Sequence, residues 1–490
     1  MRIVVTLLLL WLCAVGMATA QVSFSNTFHT DSATGEALGV TSGDFNRDGK
    51  PDVAVGTGDG VDIWTNIGSG KFSGPVSYAT GGEAAGSVRA ADINNDGWLD
   101  LVVATFDNNS SATGIALLLN NGDGTFRSGG TLSTSLPPLG FALGDLNGDG
   151  KIDMVVLECD NSIPKCQFQV QKGNGNGTFT AGQILALANA ASITGPVLAD
   201  MNGDGKLDLV NARQPKVFVW PGSGSGTFGT PTSFQPPTVC TNPSTCTDGL
   251  SDVTVGDFNN DARLDIAVLQ GHYCPNSDSG PCGSNTLYMY KNNGGMSFSL
   301  AGTSAPPTGE AGGRLFVSDL NGDQNADMMM MDNNMRGGYA EYLLGNGNFT
   351  FGAAHDLPGG DTDLVARDFN LDSRHDLAIS SQFGGGWDGA INTSAFTNCA
   401  PPSSANLVAK MCGPANNASV ASPVLVKASG NSPAGVQRLE VWIDGVKKYE
   451  KWNDQLAKSF SLATGSHKIT VVAVDMYKGT AKSTVTVTVH

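Results

Sequence analysis

The sequence predicts an all-β protein, a seven-bladed β-propeller followed by a small β-sandwich. Three observations predict it. A nine-residue acidic pattern recurs seven times, each copy sits among short strand-like runs, and the last stretch of the chain drops the pattern for long alternating strands. The composition agrees: 64 Gly, 22 Pro and 15% charged residues in 490 do not describe a helical bundle, and 40% hydrophobic residues are too many for a disordered chain.

The first element is a leader. Arg2, an apolar run from Ile3 to Val15 and the small-residue end Ala18-Thr19-Ala20 have the layout of a cleaved signal peptide over residues 1–20. The mature chain is expected to be secreted or held at the cell-envelope surface. No other stretch approaches the roughly 18 apolar residues of a membrane span. The net charge of -17 repels phosphate backbones, so nucleic acid is not an expected partner. Beyond Cys13 of the leader, the cysteines form four close pairs: Cys159 and Cys166, Cys240 and Cys246, Cys274 and Cys282, Cys399 and Cys412. Even number, export and local pairing favour loop-stapling disulfides over the rival zinc reading, which usually shows thiolates two to four residues apart.

The repeat follows. Its copies place oxygen-bearing side chains at the first, third, fifth and ninth positions: Asp44, Asn46, Asp48 and Asp52; Asp92, Asn94, Asp96 and Asp100; Asp145, Asn147, Asp149 and Asp153; Asp200, Asn202, Asp204 and Asp208; Asp257, Asn259, Asp261 and Asp265; Asp319, Asn321, Asp323 and Asp327; Asp368, Asn370, Asp372 and Asp376. Successive copies start 48 to 62 residues apart, the signature of a repeat architecture. Before each copy stands an alternating run such as "FALGD". After it comes a run rich in β-branched residues, such as "DVAVG" or "DIAVL", then a third run ending in a glycine turn and an aromatic, as in "LLLNNGDGTF". A weaker fourth run leads to the next copy. Four strands in each of seven units is a β-propeller, here residues 21–399. The seventh unit lacks a clear fourth strand, and "VSFSNTF" at 22–28 is expected to supply it and close the ring.

Residues 400–414 read as a linker. From 415 to 490 the runs "RLEVWIDGVKKYEKW", with an Asp444-Gly445 hairpin turn, "SHKITVVAVD" and "KSTVTVTV" predict a β-sandwich of Ig-like size.

The nine-residue loop carries the chemistry. Four side-chain oxygens and the seventh-position carbonyl can converge on a hard cation, and all-oxygen ligation with several carboxylates suits Ca2+ rather than zinc. Gly at the sixth position allows positive φ in the first four loops. Ala262, Gln324 and Ser373 replace it in the last three, which are expected to bind more weakly. Val55, Val103 and Val156 stand where an EF-hand needs its bidentate Glu. The bland alternative is that Asp and Asn only cap turns through backbone bonds.

These loops, with "NNGDGTF" and "GNGNGTF", resemble the FG-GAP/VCBS repeats of bacterial secreted propellers and integrin α-subunit heads. The resemblance spans roughly residues 22–399. It implies a calcium-binding propeller used in adhesion or glycan binding, or as the scaffold of some polysaccharide lyases. The C-terminal part looks more loosely like bacterial Ig-like domains.

In a four-stranded antiparallel blade, the acidic loop and the Gly-x-Gly turn share one face, and both keep nearly constant length. Length varies on the other face, "TGDG" in blade one against "GHYCPNSDSGPCGSN" in blade five. Variable loops on a rigid scaffold commonly carry recognition, so ligand contacts are expected there from His272, Tyr273, Arg336, Tyr339 and Trp387, with Asp107 and Arg213 behind them. Trp64 and Trp220 read as blade packing, and "DMMMMD" as a buried second strand. No His-Glu-x-x-His, Gly-x-Ser-x-Gly or phosphate loop occurs. The expected function is a non-catalytic adhesion or glycan- or protein-binding module with mainly structural calcium. The alternative is a polysaccharide-lyase-like enzyme on the same scaffold. A third possibility is a propeller that only spaces other surface parts.

Overall fold

The structure is a computed structural model describing residues 22–31, 37–81, 84–106, 112–160, 165–187, 193–240, 246–273, 284–304, 313–331, 340–357, 359, 362–372, 374–381, 386–394, 399, 406–432, 435–451, 454–475 and 479–490. The expected leader, residues 1–20, lies outside them. Among the described residues every regular element is a strand.

Seven four-stranded antiparallel sheets form the ring. In blade one the strands are Ala37–Gly43, Asp52–Thr57, Gly60–Gly68 and Lys71–Ala79, and blades two to six follow over 84–132, 138–187, 197–234, 247–304 and 314–356. First strands of neighbouring blades lie against one another, and Ala37–Gly43 against Asp363–Arg367 brings the last blade back to the first. The closing strand is where the sequence puts it. Phe24–Asp31 pairs antiparallel with Gly386–Asn392, Phe24 opposite Asn392 and Asp31 opposite Gly386, as fourth strand of blade seven.

Second strands show why the ring is stable. A strand buried on both faces should be apolar throughout, with alternate side chains serving opposite neighbours. In Asp327–Met331 the side chains of Met328 and Met330 join the core between blades five and six, while Met329 and Met331 join the core between blades six and seven. At the seam, Trp64 and Trp387 meet edge to face at 6.0 Å, and Phe72 meets Trp387 at 4.9 Å. The aromatic seam welds the blade closed by the N-terminal strand to blade one.

Beyond the ring, a three-stranded sheet (Val408–Gly413, Val424–Asn431, Gln455–Phe460) faces a five-stranded one. Val426, Ala428 and Leu456 from the first share a core with Leu439, Val441, Val471 and Val487 from the second. Asp444 and Gly445 both take positive φ, 53° and 81°, as a two-residue hairpin between Ile443 and Val446 requires. Residues 400–414, read from the sequence as a linker, include the strand Val408–Gly413. Its short "VAKMCG" run is paired from Val408 opposite Asn431 to Gly413 opposite Lys427, and that long-range partner is invisible to a local pattern.

Three of the expected disulfides are present, Cys159–Cys166, Cys240–Cys246 and Cys399–Cys412. The third ties the end of the ring to the sandwich. Cys274 and Cys282 lie outside the described residues. The sandwich is also docked non-covalently on the acidic-loop side. His375 of the seventh loop hydrogen-bonds Asp454 at 2.9 Å and Ser318 at 2.6 Å, and Lys451 Nζ donates to the Gln324 carbonyl in the sixth loop.

Candidate metal loops and ligand face

Each acidic loop joins a first strand to a second, and its ninth residue is the innermost. Asp52, Asp100, Asp153, Asp208, Asp265, Asp327 and Asp376 are all buried. Both oxygens of each accept backbone amides. Asp52 takes the amide of Phe45 at 3.0 Å and that of Asn66 on the third strand at 2.8 Å, and Asp376 takes those of Phe369 and Asn392, both at 2.8 Å. The ninth carboxylate therefore staples the start of the loop to the third strand.

The first, third and fifth positions form the outer turn. Asp44 accepts the amides of Asp48 and Gly49, Asn46 accepts that of Asp48, and Asp48 accepts that of Lys50. Gly49, Gly97, Gly150 and Gly205 at the sixth position have φ of 80° to 86°. Ala262 and Gln324 adopt the same region at 68° and 75°, at a cost of roughly 1 kcal/mol each. The fourth position is left-handed too, including Arg47 at 57° and Leu371 at 63°. Ser373 lies outside the described residues.

Burial leaves these carboxylates electrostatically strained. It pushes Asp52, Asp100, Asp265, Asp319 and Asp376 up to about 7 and Asp208 to about 6, against the lowering effect of hydrogen bonds from backbone amides. Asp327 is raised well above the usual carboxylate range, by burial and then by the charge of Asp319. Asp319 Oδ1 is buried with no hydrogen-bond partner. A divalent cation would answer both features, and the donors are the hard oxygens calcium prefers. The loops are not closed around a point, however. Among the described residues, the only His, Cys, Asp or Glu trio with ligand atoms within 4.8 Å of one another is Cys240, Cys246 and Asp248, whose sulfurs are bonded to each other. Ligation would require the first, fifth and ninth carboxylates of a loop to draw together.

A second feature is absent from the motif. The backbone carbonyl of the second loop residue is hydrogen-bonded by the next blade all the way round the ring. In four blades an asparagine side chain at the end of the third strand does this: Asn66 Nδ2 donates to Phe369 O, Asn120 to Phe45 O, Asn292 to Met201 O and Asn392 to Leu320 O, at 2.7 to 2.9 Å. In the other three a backbone amide of the glycine turn takes over: Gly177 to Ile93 O, Gly226 to Leu146 O and Phe349 to Phe258 O, each at 3.1 Å. In those blades Gly173, Gly222 and Gly345 replace the asparagine, and a Cβ there would lie 2.1 Å from the carbonyl of Ile152, Leu207 or Ala326. Acidic loops and glycine turns are thus one continuous hydrogen-bonded ring. The signal was an Asn or Gly immediately before each glycine turn.

Residues 44–103, 92–156 and 145–211 match the FG-GAP-like repeat, each segment beginning at the first aspartate of a loop. The chain carries FG-GAP-like repeats. No curated protein sequence matches it. Among solved structures it is similar to an Agrocybe aegerita lectin that recognises non-reducing terminal N-acetylglucosamine (18% identity, 75% of this chain and 86% of that one, TM-score 0.42). It is also similar to BBS1N crystallised with ARL6DN (14%, 76% and 96%, TM-score 0.47) and to the exotype rhamnogalacturonan lyase YesX (12%, 75% and 76%, TM-score 0.43).

On the face opposite the acidic loops, two of the expected ligand contacts are buried. Trp387 is fully buried in the seam between blades seven and one. His272 is 1% exposed, its ring held between Asp248 at 2.7 Å and Thr286 at 3.0 Å. Both lie on paired strands, whose alternation turns them inward; the sequence places them near a loop without fixing that direction. Tyr273 ends its strand with its backbone opposite Thr247; its side chain, together with Arg336, Tyr339 and Asp107, lies outside the described residues. Arg213 is stacked over Phe218 at 4.6 Å. Trp64 and Trp220 are buried, as expected of blade packing.

The first strands, packed one against the next around the ring, surround the central channel of a propeller, and they hold charges that the sequence pattern does not reveal. Asp363 pairs with Arg314 at 3.2 Å and Arg89 at 3.3 Å, bringing together first strands of blades seven, six and two. At the loop end of the channel lies a cavity of about 600 Å³, lined by Arg89, Arg367, Asp319 and His375 of the ring and by Val436, Gln437 and Asp454 of the sandwich. No helix among the described residues is long and apolar enough to cross a membrane.

Proposed function

We propose that this is an exported, calcium-stiffened propeller acting as a non-catalytic binding module for an extracellular glycan or protein. The observation that carries the reading is the contrast between the two faces. One holds seven near-identical loops linked blade to blade and partly covered by the docked sandwich. The other carries connections of unequal length, from "TGDG" in blade one to "GHYCPNSDSGPCGSN" in blade five. Calcium supports the first face: an ion that gathers the buried carboxylates removes their mutual repulsion. At about 100 times its dissociation constant it would add roughly 2.7 kcal/mol per site. In this reading Asp44, Asn46, Asp48 and Asp52, and their counterparts in the other loops, hold the ion.

A glycan and extracellular-protein array probed with the whole chain, beside an assay for unsaturated products from polyuronates, tests the reading. Saturable binding without product is the expected result. Release of unsaturated product would replace the binding module with a lyase.

A further inference from the structure

In five of the seven loops the fifth-position carboxylate is paired with a cation two residues further on: Asp48 with Lys50, Asp149 with Lys151, Asp204 with Lys206, Asp261 with Arg263 and Asp372 with Arg374, at 2.6 to 3.4 Å. These cations are partly exposed and can swing aside for an incoming ion. The sixth loop has Asn325 at that position and no such charge. It is also the loop under the sandwich, with Asp319, Leu320 and Asn321 buried and Asp319 Oδ1 without a partner.

We propose that Lys451 of the sandwich supplies the cation the sixth loop lacks, so that docking of the sandwich and binding of a calcium ion are alternatives at this loop. Lys451 ends the edge strand Val446–Lys451, is 5% exposed and donates to the backbone carbonyl of Gln324, inside the loop. Burial lowers its pKa, and the nearby carboxylates of Asp319, Asp257, Asp323 and Asp454 oppose that shift. Unlike Lys50 or Lys151, a buried ammonium on a docked strand cannot leave without undocking. Neutralisation of the first four loops by a mobile ion then stiffens single blades, whereas neutralisation of the sixth fastens a whole domain to the ring.

The calcium part of this proposal rests on the reading above, so the experiment has two arms. Calcium titration calorimetry compares wild type with Lys451→Met, Lys451→Arg and the double variant Lys451→Met with Asp323→Asn. Lys451→Met should tighten the weakest site about tenfold or more. Lys451→Arg should not, and the double variant should lose the gain. The second arm is hydrogen exchange in chelator over residues 319–327 and 446–451, where Lys451→Met should exchange about tenfold faster and Lys451→Arg close to wild type. Calcium binding that is the same with and without Lys451, or unchanged exchange in both segments, overturns the proposal. Absence of calcium binding in wild type refutes the calcium reading alone, and the exchange arm then decides whether Lys451 fastens the sandwich.

Discussion

Asn120→Ala removes one link of the inter-blade ring and leaves its backbone untouched. The side chain is 1% exposed; its Nδ2 donates to Phe45 O of blade one at 2.9 Å and to Leu99 O of its own loop at 3.1 Å, and its Oδ1 accepts Gly122 N at 2.9 Å. Truncation leaves buried polar groups unpaired at about 1–3 kcal/mol each, partly relieved by their remaining bonds, for a total of about 2–4 kcal/mol. Asn174 occupies a similar glycine turn in blade three, where the Gly177 amide makes the inter-blade bond, and its side chain is exposed and bonded only locally to Thr178 and Thr180. Asn174→Ala should therefore stay within roughly 0.5 kcal/mol of wild type. Urea unfolding of the two variants at constant calcium measures the difference. Equal midpoints for Asn120→Ala and Asn174→Ala would refute the stabilising role of the inter-blade asparagine bond.

Other outcomes follow from the same structure. Aspartates raised to about 7 in the folded chain, against roughly 4 when unfolded, contribute stability present at acid pH and lost as pH rises through 7. In chelator this contribution should raise the melting midpoint between pH 8 and 5.5, and added calcium should help more at pH 8; a calcium effect independent of pH would contradict it. Met329→Ala, fully buried between blades six and seven, should cost about 2–5 kcal/mol in urea, whereas Val76→Ala, 54% exposed, should cost under about 1 kcal/mol. Gly173→Ala forces a Cβ against Ile152 O and should destabilise sharply, while Gly195→Ala, with nothing within 4 Å, should not; similar midpoints would show that blade three tolerates a side chain there. A chain beginning at residue 33 lacks the closing strand and should lose its cooperative melting transition.

The blades were legible because each element is written in local chemistry. Period-two apolar runs, Asx turns and glycine turns recur at fixed offsets, and even the closing strand could be read from a gap at one end and a spare strand at the other. Whatever depends on distant partners was not legible. Asn66 and Gly173 fill equivalent places with different donors, and no local pattern shows that each serves a carbonyl in the preceding blade or makes room for one. Trp387 and His272 lie beside variable connections in sequence, yet strand direction buries both. Lys451 reads as one charge of an amphipathic strand until docking sets it over the sixth loop.

In the proposed function the repeated loops hold calcium and thereby stiffen the ring. Equilibrium dialysis with radioactive calcium, comparing wild type with Asp145→Asn and Asp200→Asn, tests it most directly. Tight binding is expected at the first four loops, with one ion lost in each variant. A chain that retains its fold and binds no calcium at millimolar concentration would contradict it, and would leave the acidic loops as turns held by their own amides.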